Sequence, residues 1–304
     1  MTSENIITDT EPERIEFRQF HQPTLKTGDY SITVEQKAQT VGDGRIPATT
    51  FRKQNLFSVA SEQFVFNPPL INAVFPPDGN LGDHFNIFPH IILNRSTLPW
   101  ERTATEKDEN VPWLALLLFD AAEAVAPKIM TLAELSKPSQ DARVKWRGVK
   151  PEAGQNPTDK VTVIEVQKSV LENIMPTAAD LAWLAHARQG KNIAGTKSGD
   201  ELAIIIGNRL PRKGASSTVH LVSVENRYTT GGEFDFQKAA PEDLIRLVSL
   251  KSWSFTCADS RQNFKGLLKK LDPFDVAGFD QKRSLLRLPP PENALPEAEK
   301  YLSA

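Results

Sequence analysis

Two histidines and an aspartate lie close together along the chain. Asp83 and His84 are adjacent, and His90 follows six residues later. A zinc pair on a helix needs a spacing of about three or four residues, so a helical site is excluded. Residues six apart on a strand face the same side, which leaves a site completed by a distant carboxylate open. We favour the structural alternative, in which His84 caps a turn and His90 follows Pro89 in a strand, and we predict no metal.

Cys257, His220 and Asp243 could supply a thiol, a base and an orienting acid for nucleophilic catalysis. No glycine-flanked elbow surrounds any of them, and the sequence contains no GxSxG, HExxH, CxxC or glycine-rich dinucleotide motif. Cys257 ends an apolar run and His220 lies within VHLVSV, patterns that are typical of a buried inert thiol and a core histidine. We therefore predict no cofactor, and the sequence leans away from an enzyme.

The segment GNRLPRKG at residues 207–214 is basic and has glycines at both ends. It lacks the GK[ST] ending of a phosphate loop and does not run into a helix, so a hairpin connection is the better interpretation. Arg209, Arg212 and Lys213 form a candidate docking patch for an acidic partner, and a solvated turn is the alternative.

Trp100 follows Pro99 and precedes the charge pair Glu101 and Arg102. A large amphipathic ring in this setting is either a contact for a partner or an anchor at the edge of the fold. We predict that Trp100 and Arg102 are partly exposed and bind a partner. In the alternative, Trp100 plugs the end of a sheet and Arg102 pairs with a nearby acid.

Bulk composition narrows the classes of partner. The chain has 304 residues with 36 basic and 38 acidic side chains, so its formal charge of -2 gives no net attraction to nucleic acid. A single cysteine cannot form an internal disulfide, which fits a reducing compartment. No export signal can be read in residues 1–17, and the longest apolar stretch, residues 113–126, is too short and too charged to span a bilayer. We predict a cytoplasmic protein, or one in a particle assembled there, without membrane insertion.

Alternating and continuous apolar runs predict many strands. Tyr30, Ile32 and Val34 alternate as in a strand with one buried face, whereas residues 113–119 and 203–206 are apolar throughout, as in buried strands. Residues 49–69, 84–95, 161–166, 217–226 and 244–257 also have strand composition, and paired prolines in residues 68–83 indicate turns.

Fewer segments predict helices. Capping boxes begin at Thr131 and Thr177, and the second opens a helix that we expect to run to Gly190. This helix would join the strands at 161–166 and 201–208 in a βαβ unit. Residues 261–272 carry a further helical stripe.

The predicted fold class is α+β, with strand-rich mixed sheets and a few short helices. Residues 1–13 are expected to be a flexible arm, and residues 289–304 a proline-rich tail with a short helix. Residues 137–160 are expected to be a loop or linker, or a hairpin around residues 144–146. That segment would separate a strand-rich subdomain at 14–136 from an α/β subdomain at 161–288, although one large domain stays open.

Four segments carry a resemblance to a known family: LPWERT, PWLALLLFD, GNRLP followed by STVHLVSVENRY, and LVSLKSWSFTC. Together they resemble an uncharacterised family associated with gene clusters for phage-tail-like contractile injection systems. The resemblance spans residues 28–288, and longer relatives continue further, so the chain resembles a shortened member. It implies a structural or accessory component of a multiprotein assembly, with other protein subunits as partners. The alternative is a hydrolase or ligand-binding domain whose site uses scattered residues such as Asp83, His84 and His90.

Overall fold

The computed structural model describes residues 14–38, 49–105, 108–152, 154–191 and 197–259. Strands dominate these residues, which confirms the predicted α+β class. The strands are β1 Arg14–Arg18, β2 Gly28–Ala38, β3 Thr49–Val59, β4 Ile71–Phe75, β5 Leu81–Gly82, β6 His90–Leu93, β7 Leu114–Asp120, β8 Lys128–Thr131, β9 Val144–Lys145, β10 Lys160–Gln167, β11 Ala185–Lys191, β12 Lys197–Ile206, β13 Ser216–Ser223 and β14 Leu244–Cys257. The α-helices are α1 Leu132–Leu135, α2 Lys168–Ile174 and α3 Ala178–Leu184. No described helix is long and apolar enough to cross a membrane.

Two sheets form the body of the protein. The first is antiparallel in the order β1-β11-β12-β6-β4, and the second has the order β7-β13-β14-β10-β8, with β5 and β9 pairing in parallel to the two ends of β14. Each sheet takes strands from both sides of residues 137–160, and the chain up to Cys257 is one compact unit. The predicted linker therefore does not separate two bodies here. The hairpin at residues 144–146 is also wrong, because β9 pairs in parallel with β14.

Strand β7 lies at the centre of the core. Leu116 and its neighbours two residues away pack with the inner face of the first sheet, whereas Leu117 and Phe119 pack against residues of α2 and α3. Every residue of β7 is buried, as the continuous apolar run predicts. Among the described strands, however, β7 is the end strand of its sheet and pairs with β13 alone. The second apolar run is confirmed at Ala203–Ile205, in β12 of the first sheet.

The two capping boxes are confirmed, but the second helix is shorter than predicted. Thr131 and Thr177 each accept from the backbone three residues on, and the acid at that position closes the box. The helix ends at Leu184, and residues 185–191 form β11. In β11 the small residues Ala185 and Ala187 alternate with polar ones. Alternate residues of a strand point to the same face, so the two alanines face the core and are buried. Pairing with β12 holds this segment as a strand.

The predicted βαβ unit is wrong. Strand β10 lies in the second sheet and β12 in the first, so α2, α3 and β11 carry the chain from one sheet to the other. Residues 68–83, predicted as turns, also contribute β4 and β5. The predictions for residues 1–13, 261–272 and 289–304 lie outside the described residues.

Strands β2 and β3 form a separate two-stranded antiparallel ribbon, which we call the ribbon. All eleven residues of each strand are paired, from Gly28 opposite Val59 to Ala38 opposite Thr49. Among the described strands, they pair only with each other. The strand prediction for this segment is confirmed, but the expected burial of one face is wrong, because Ile32 and Val34 are 53% and 50% exposed.

Candidate interaction surfaces and cleft

The candidate metal residues make ordinary packing contacts. His84 Nε2 lies 2.8 Å from Asn80 Oδ1, and its ring meets Phe75 and Phe255 edge-on. His90 opens β6 and stacks on Phe75 at 5.2 Å between ring centroids. In the described part of the chain, no group of three or more His, Cys, Asp and Glu side chains is placed to hold a metal.

The three candidate nucleophilic residues lie far apart, on β13 and at the two ends of β14. His220 lies opposite Ser252, and Cys257 is five residues further on, roughly 17 Å away at 3.4 Å per residue. Asp243 precedes the other end of the strand. His220 Nδ1 instead lies 2.9 Å from Ser249 Oγ, and burial raises the pKa of the Cys257 thiol. These residues do not form one site.

The predicted exposure of Trp100 and Arg102 is wrong. Trp100 is 1% exposed, and its indole Nε1 donates to the carbonyl of Asn110 at 2.9 Å. The side chain lies in a 3-10 turn, residues 98–100, that is packed into the core of the first sheet. The alternative, in which the tryptophan anchors the fold, accounts for these contacts.

Arg102 is 5% exposed and is held by two carboxylates. Its Nη1 and Nη2 donate to the two oxygens of Glu152 at 2.7 Å, Nη1 also donates to Glu225 at 3.0 Å, and Nε donates to the carbonyl of Glu62. Glu152 and Glu225 are 50 and 123 residues away along the chain. The partners are therefore distant acids, which a local sequence pattern does not reveal.

The basic loop at residues 207–215 joins the two sheets and is not a hairpin, because β12 and β13 belong to different sheets. Arg209 pairs with Glu123 at 2.5 Å and Asp120 at 2.9 Å, and Arg212 reaches Asp120 at 2.8 Å. The hydrogen bond from Arg209 lowers the pKa of Glu123. Lys213 Nζ lies 4.8 Å above the ring of Phe85. These cations fasten the loop to the body.

One face of the ribbon, which we call the apolar face, is mainly apolar and uncovered. Residues directly opposite each other in an antiparallel pair share a face, so Tyr30, Ile32 and Val34 lie on the same side as Phe57 and Phe51. The polar side chains on this face include Gln36, Lys53 and Asn55, which lie opposite Phe51, Val34 and Ile32. Phe51 is 60% exposed, and Tyr30 and Phe57 stack at 5.6 Å. The opposite face is polar except for one leucine; it carries Ser31, Thr33, Glu35, Lys37, Thr50, Arg52, Gln54 and Leu56.

Edge strand β1 provides a second uncovered apolar patch. Ile15 and Phe17 are both exposed and share one face of the first sheet. The Phe17 ring lies 5.5 Å from that of His186 on the neighbouring strand. The opposite edge of β1 has no strand partner among the described residues.

A cleft of about 720 Å³ lies at the base of the ribbon. Ribbon residues around Asp29 and Ser58 line one side, and residues 146–152 with parts of 223–237 line the other. This volume falls within the range of small-ligand sites, about 300 to 1,000 Å³. Neither Asp83, His84 nor His90 lines the cleft.

Most charges in the cleft are paired within the protein. Arg102 holds Glu152 and Glu225, and Arg147 holds Asp235 at 2.5 Å. Arg227 differs from them, since its Nε and Nη2 are buried without a hydrogen-bond partner in the described chain.

The guanidinium of Arg227 is enclosed by aromatic rings. Its central carbon lies 4.8 Å from the Phe234 ring centroid and 5.9 Å from that of Trp146. Burial lowers its pKa to about 10, so it remains charged at neutral pH. Sequence analysis missed Arg227, because no motif surrounds it and one of its two rings comes from a distant segment.

Comparisons with known proteins give no match: no family model, no curated protein and no solved structure is similar to this chain.

Proposed function

We propose that this protein is a structural or accessory component of a multiprotein assembly and that the apolar face of the ribbon binds another protein subunit. The observation that supports this is a set of five apolar side chains, Tyr30, Ile32, Val34, Phe51 and Phe57, on one face of a ribbon of two strands. Four of the five are exposed and Tyr30 is half-buried, and they share the face with Gln36, Lys53 and Asn55.

The physical argument concerns the stability of such a ribbon. A two-stranded hairpin is marginally stable in water and needs a further strand or a packed surface on its apolar face. Contiguous exposed apolar side chains commonly mark protein interfaces. A second subunit that covers this face supplies the missing layer, and the polar opposite face stays in solvent.

The resemblance of four sequence segments adds the class of assembly. We propose a phage-tail-like contractile injection particle, in which the chain contacts other protein subunits. The exposed Ile15 and Phe17 on β1 offer a second surface for such contacts, as expected of a subunit with more than one neighbour.

Site-specific photo-cross-linking in the source cells tests the proposal. A photoreactive phenylalanine analogue replaces Phe51 on the apolar face, and a matched variant carries it at Gln54 on the polar face. We expect Phe51 to give one discrete adduct with an identifiable subunit of a large particle, and Gln54 to give none. Sedimentation of the wild-type chain as a free monomer, with no adduct from Phe51, would contradict the proposal.

A further inference from the structure

The cleft at the base of the ribbon is lined by Arg227, and only part of its guanidinium is hydrogen-bonded within the described chain. Arg227 carries five N–H donors, and Nη1 donates to the carbonyl of Arg246 at 3.1 Å. Nε and Nη2, which carry three of the five, have no partner in the described chain. A buried charged group without hydrogen bonds is strongly unfavourable, so this edge of the guanidinium favours a bound acceptor, either water or a ligand.

The geometry points to a carboxylate: we propose that the cleft binds an organic acid through the Nε and Nη2 edge of Arg227. Phe234 and Trp146 lie against the guanidinium, and Nη1 is occupied, so the donors left for a ligand are Nε and Nη2, which point in the plane of the group. Nε–H and one N–H of Nη2 are parallel donors that match the two oxygens of a planar carboxylate.

The acids of the cleft itself are engaged elsewhere. Asp235 accepts from Arg147 through Oδ2 and from the backbone of Gln237 through Oδ1, and Asp29 accepts from Ser58 at 2.6 Å. Glu152 and Glu225 are held by Arg102. Asp235 is near enough to attract Arg227 electrostatically, but neither of its oxygens accepts a hydrogen bond from Nε or Nη2. We therefore assign this edge of the guanidinium to a carboxylate from outside the described chain.

The remaining walls define the rest of the ligand. Phe64, Trp146, Val149 and Val248 contribute apolar surface to the cleft, and Lys150 adds an exposed cation without an ion-pair partner in the described chain. The volume of about 720 Å³ holds more than a carboxyl group. The ligand class is a carboxylate attached to an apolar or aromatic body, either a free small acid or the C-terminus of a peptide.

Binding requires a local movement, because Nε and Nη2 are covered in the unliganded chain. Arg147 is a second cation near Arg227, and its exposed side chain adds to the attraction for an anion at this cleft.

Calorimetric titration of the purified full chain tests this inference. The probes are 3-phenylpropionate and a short peptide ending in phenylalanine, each compared with its uncharged amide. We expect the acid of at least one pair to bind about tenfold or more tightly than its amide, because charged hydrogen bonds are lost in the amide. The pair that binds distinguishes a free acid from a peptide terminus. Equal binding of acid and amide, or no binding by either pair, would overturn the inference.

Variants locate the binding site. Arg227→Lys keeps the charge and removes the parallel donors, so it should weaken acid binding about tenfold, whereas Arg143→Lys outside the cleft should leave binding unchanged. Undiminished binding in Arg227→Lys would place the acid elsewhere and refute the proposal. Asp235→Asn provides a test that does not depend on the folding of an Arg227 variant. If that variant binds the acid and the wild-type chain does not, Asp235 satisfies Arg227 in solution and the proposal fails.

Discussion

At the scale of single residues, Arg102 is a buried charge that stabilises the fold through its ion pairs. Its guanidinium bridges Glu152 and Glu225, which lie on segments far apart along the chain. We expect Arg102→Ala to lower the free energy of unfolding by about 3 kcal/mol, the lower end of the range for a broken buried pair, since both glutamates retain some contact with water. Urea denaturation measures this.

Arg102→Met is the control, because it removes the charge and keeps most of the packing. It should also destabilise the fold, since two carboxylates lose their partner. A loss below about 1 kcal/mol in both variants would mean that solvent already satisfies the two acids.

His220 predicts a specific pH dependence of stability. Burial lowers the pKa of His220 from 6.5 to about 4, because the charged ring would lose its contact with water. The ring packs edge-on against Phe119, and Nδ1 shares a hydrogen bond with Ser249 Oγ. The unfolded chain therefore binds a proton first as the pH falls. The contribution of His220 to stability is therefore lost between about pH 6.5 and pH 4, by about 3 kcal/mol in all, and this residue adds no further loss below that range.

His220→Gln, which does not titrate, isolates this contribution. The difference in unfolding free energy between the wild-type protein and the variant should shrink steadily as the pH is lowered from 7 to 4.5. A difference that stays constant across this range would show that His220 keeps its ordinary pKa in the folded protein.

At the scale of elements, β7 and the ribbon respond differently to the same substitution. Leu116 in β7 is 3% exposed within the core, whereas Leu56 in the ribbon is 79% exposed. Leu116→Ala should lower the unfolding free energy by about 2 to 5 kcal/mol, because transfer and cavity terms both contribute. Leu56→Ala should change it by less than about 0.5 kcal/mol. Thermal and urea unfolding of the two variants make the comparison, and equal effects would contradict the assigned core.

Local signals are what the sequence predicts well. Capping boxes at Thr131 and Thr177 involve atoms three residues apart, so they do not depend on the rest of the fold. The extent of the helix after Thr177 does depend on it, since residues 185–191 become a strand only because β1 and β12 pair with them. Alternation correctly placed Tyr30, Ile32 and Val34 on one face but carries no information on what covers it.

The candidate site shows the same limit. The Arg227 guanidinium meets Trp146 from a distant segment and Phe234 from its own loop, and the cleft they border forms only when the ribbon base closes one side. The local pattern around Trp100 and Arg102 predicts exposure because it indicates amphipathic side chains but carries no information on their burial. Their burial is decided by Glu152, Glu225 and the first sheet.

At the scale of the whole molecule, no described strand of the two sheets pairs with a strand of the ribbon. Sheet one and sheet two share the core through β7, whereas β2 and β3 pair only with each other among the described strands. The body should therefore fold without most of the ribbon. Ser31 and Leu56 are directly opposite in register, so an Asn-Gly turn that replaces residues 32–55 closes the shortened ribbon with little strain.

This shortened chain separates the role of the ribbon in folding from its role in assembly. We expect its unfolding free energy to lie within about 1 kcal/mol of the wild-type value, because the deleted apolar face is uncovered in the isolated chain. We also expect it to lose co-sedimentation with the particle, since Ile32, Val34 and Phe51 are removed. A full-length control with Thr33→Ala and Gln54→Ala on the polar face should retain both properties. If the shortened chain still enters the particle, the ribbon is not the contact, and a loss of several kcal/mol would instead make the ribbon part of the folded body.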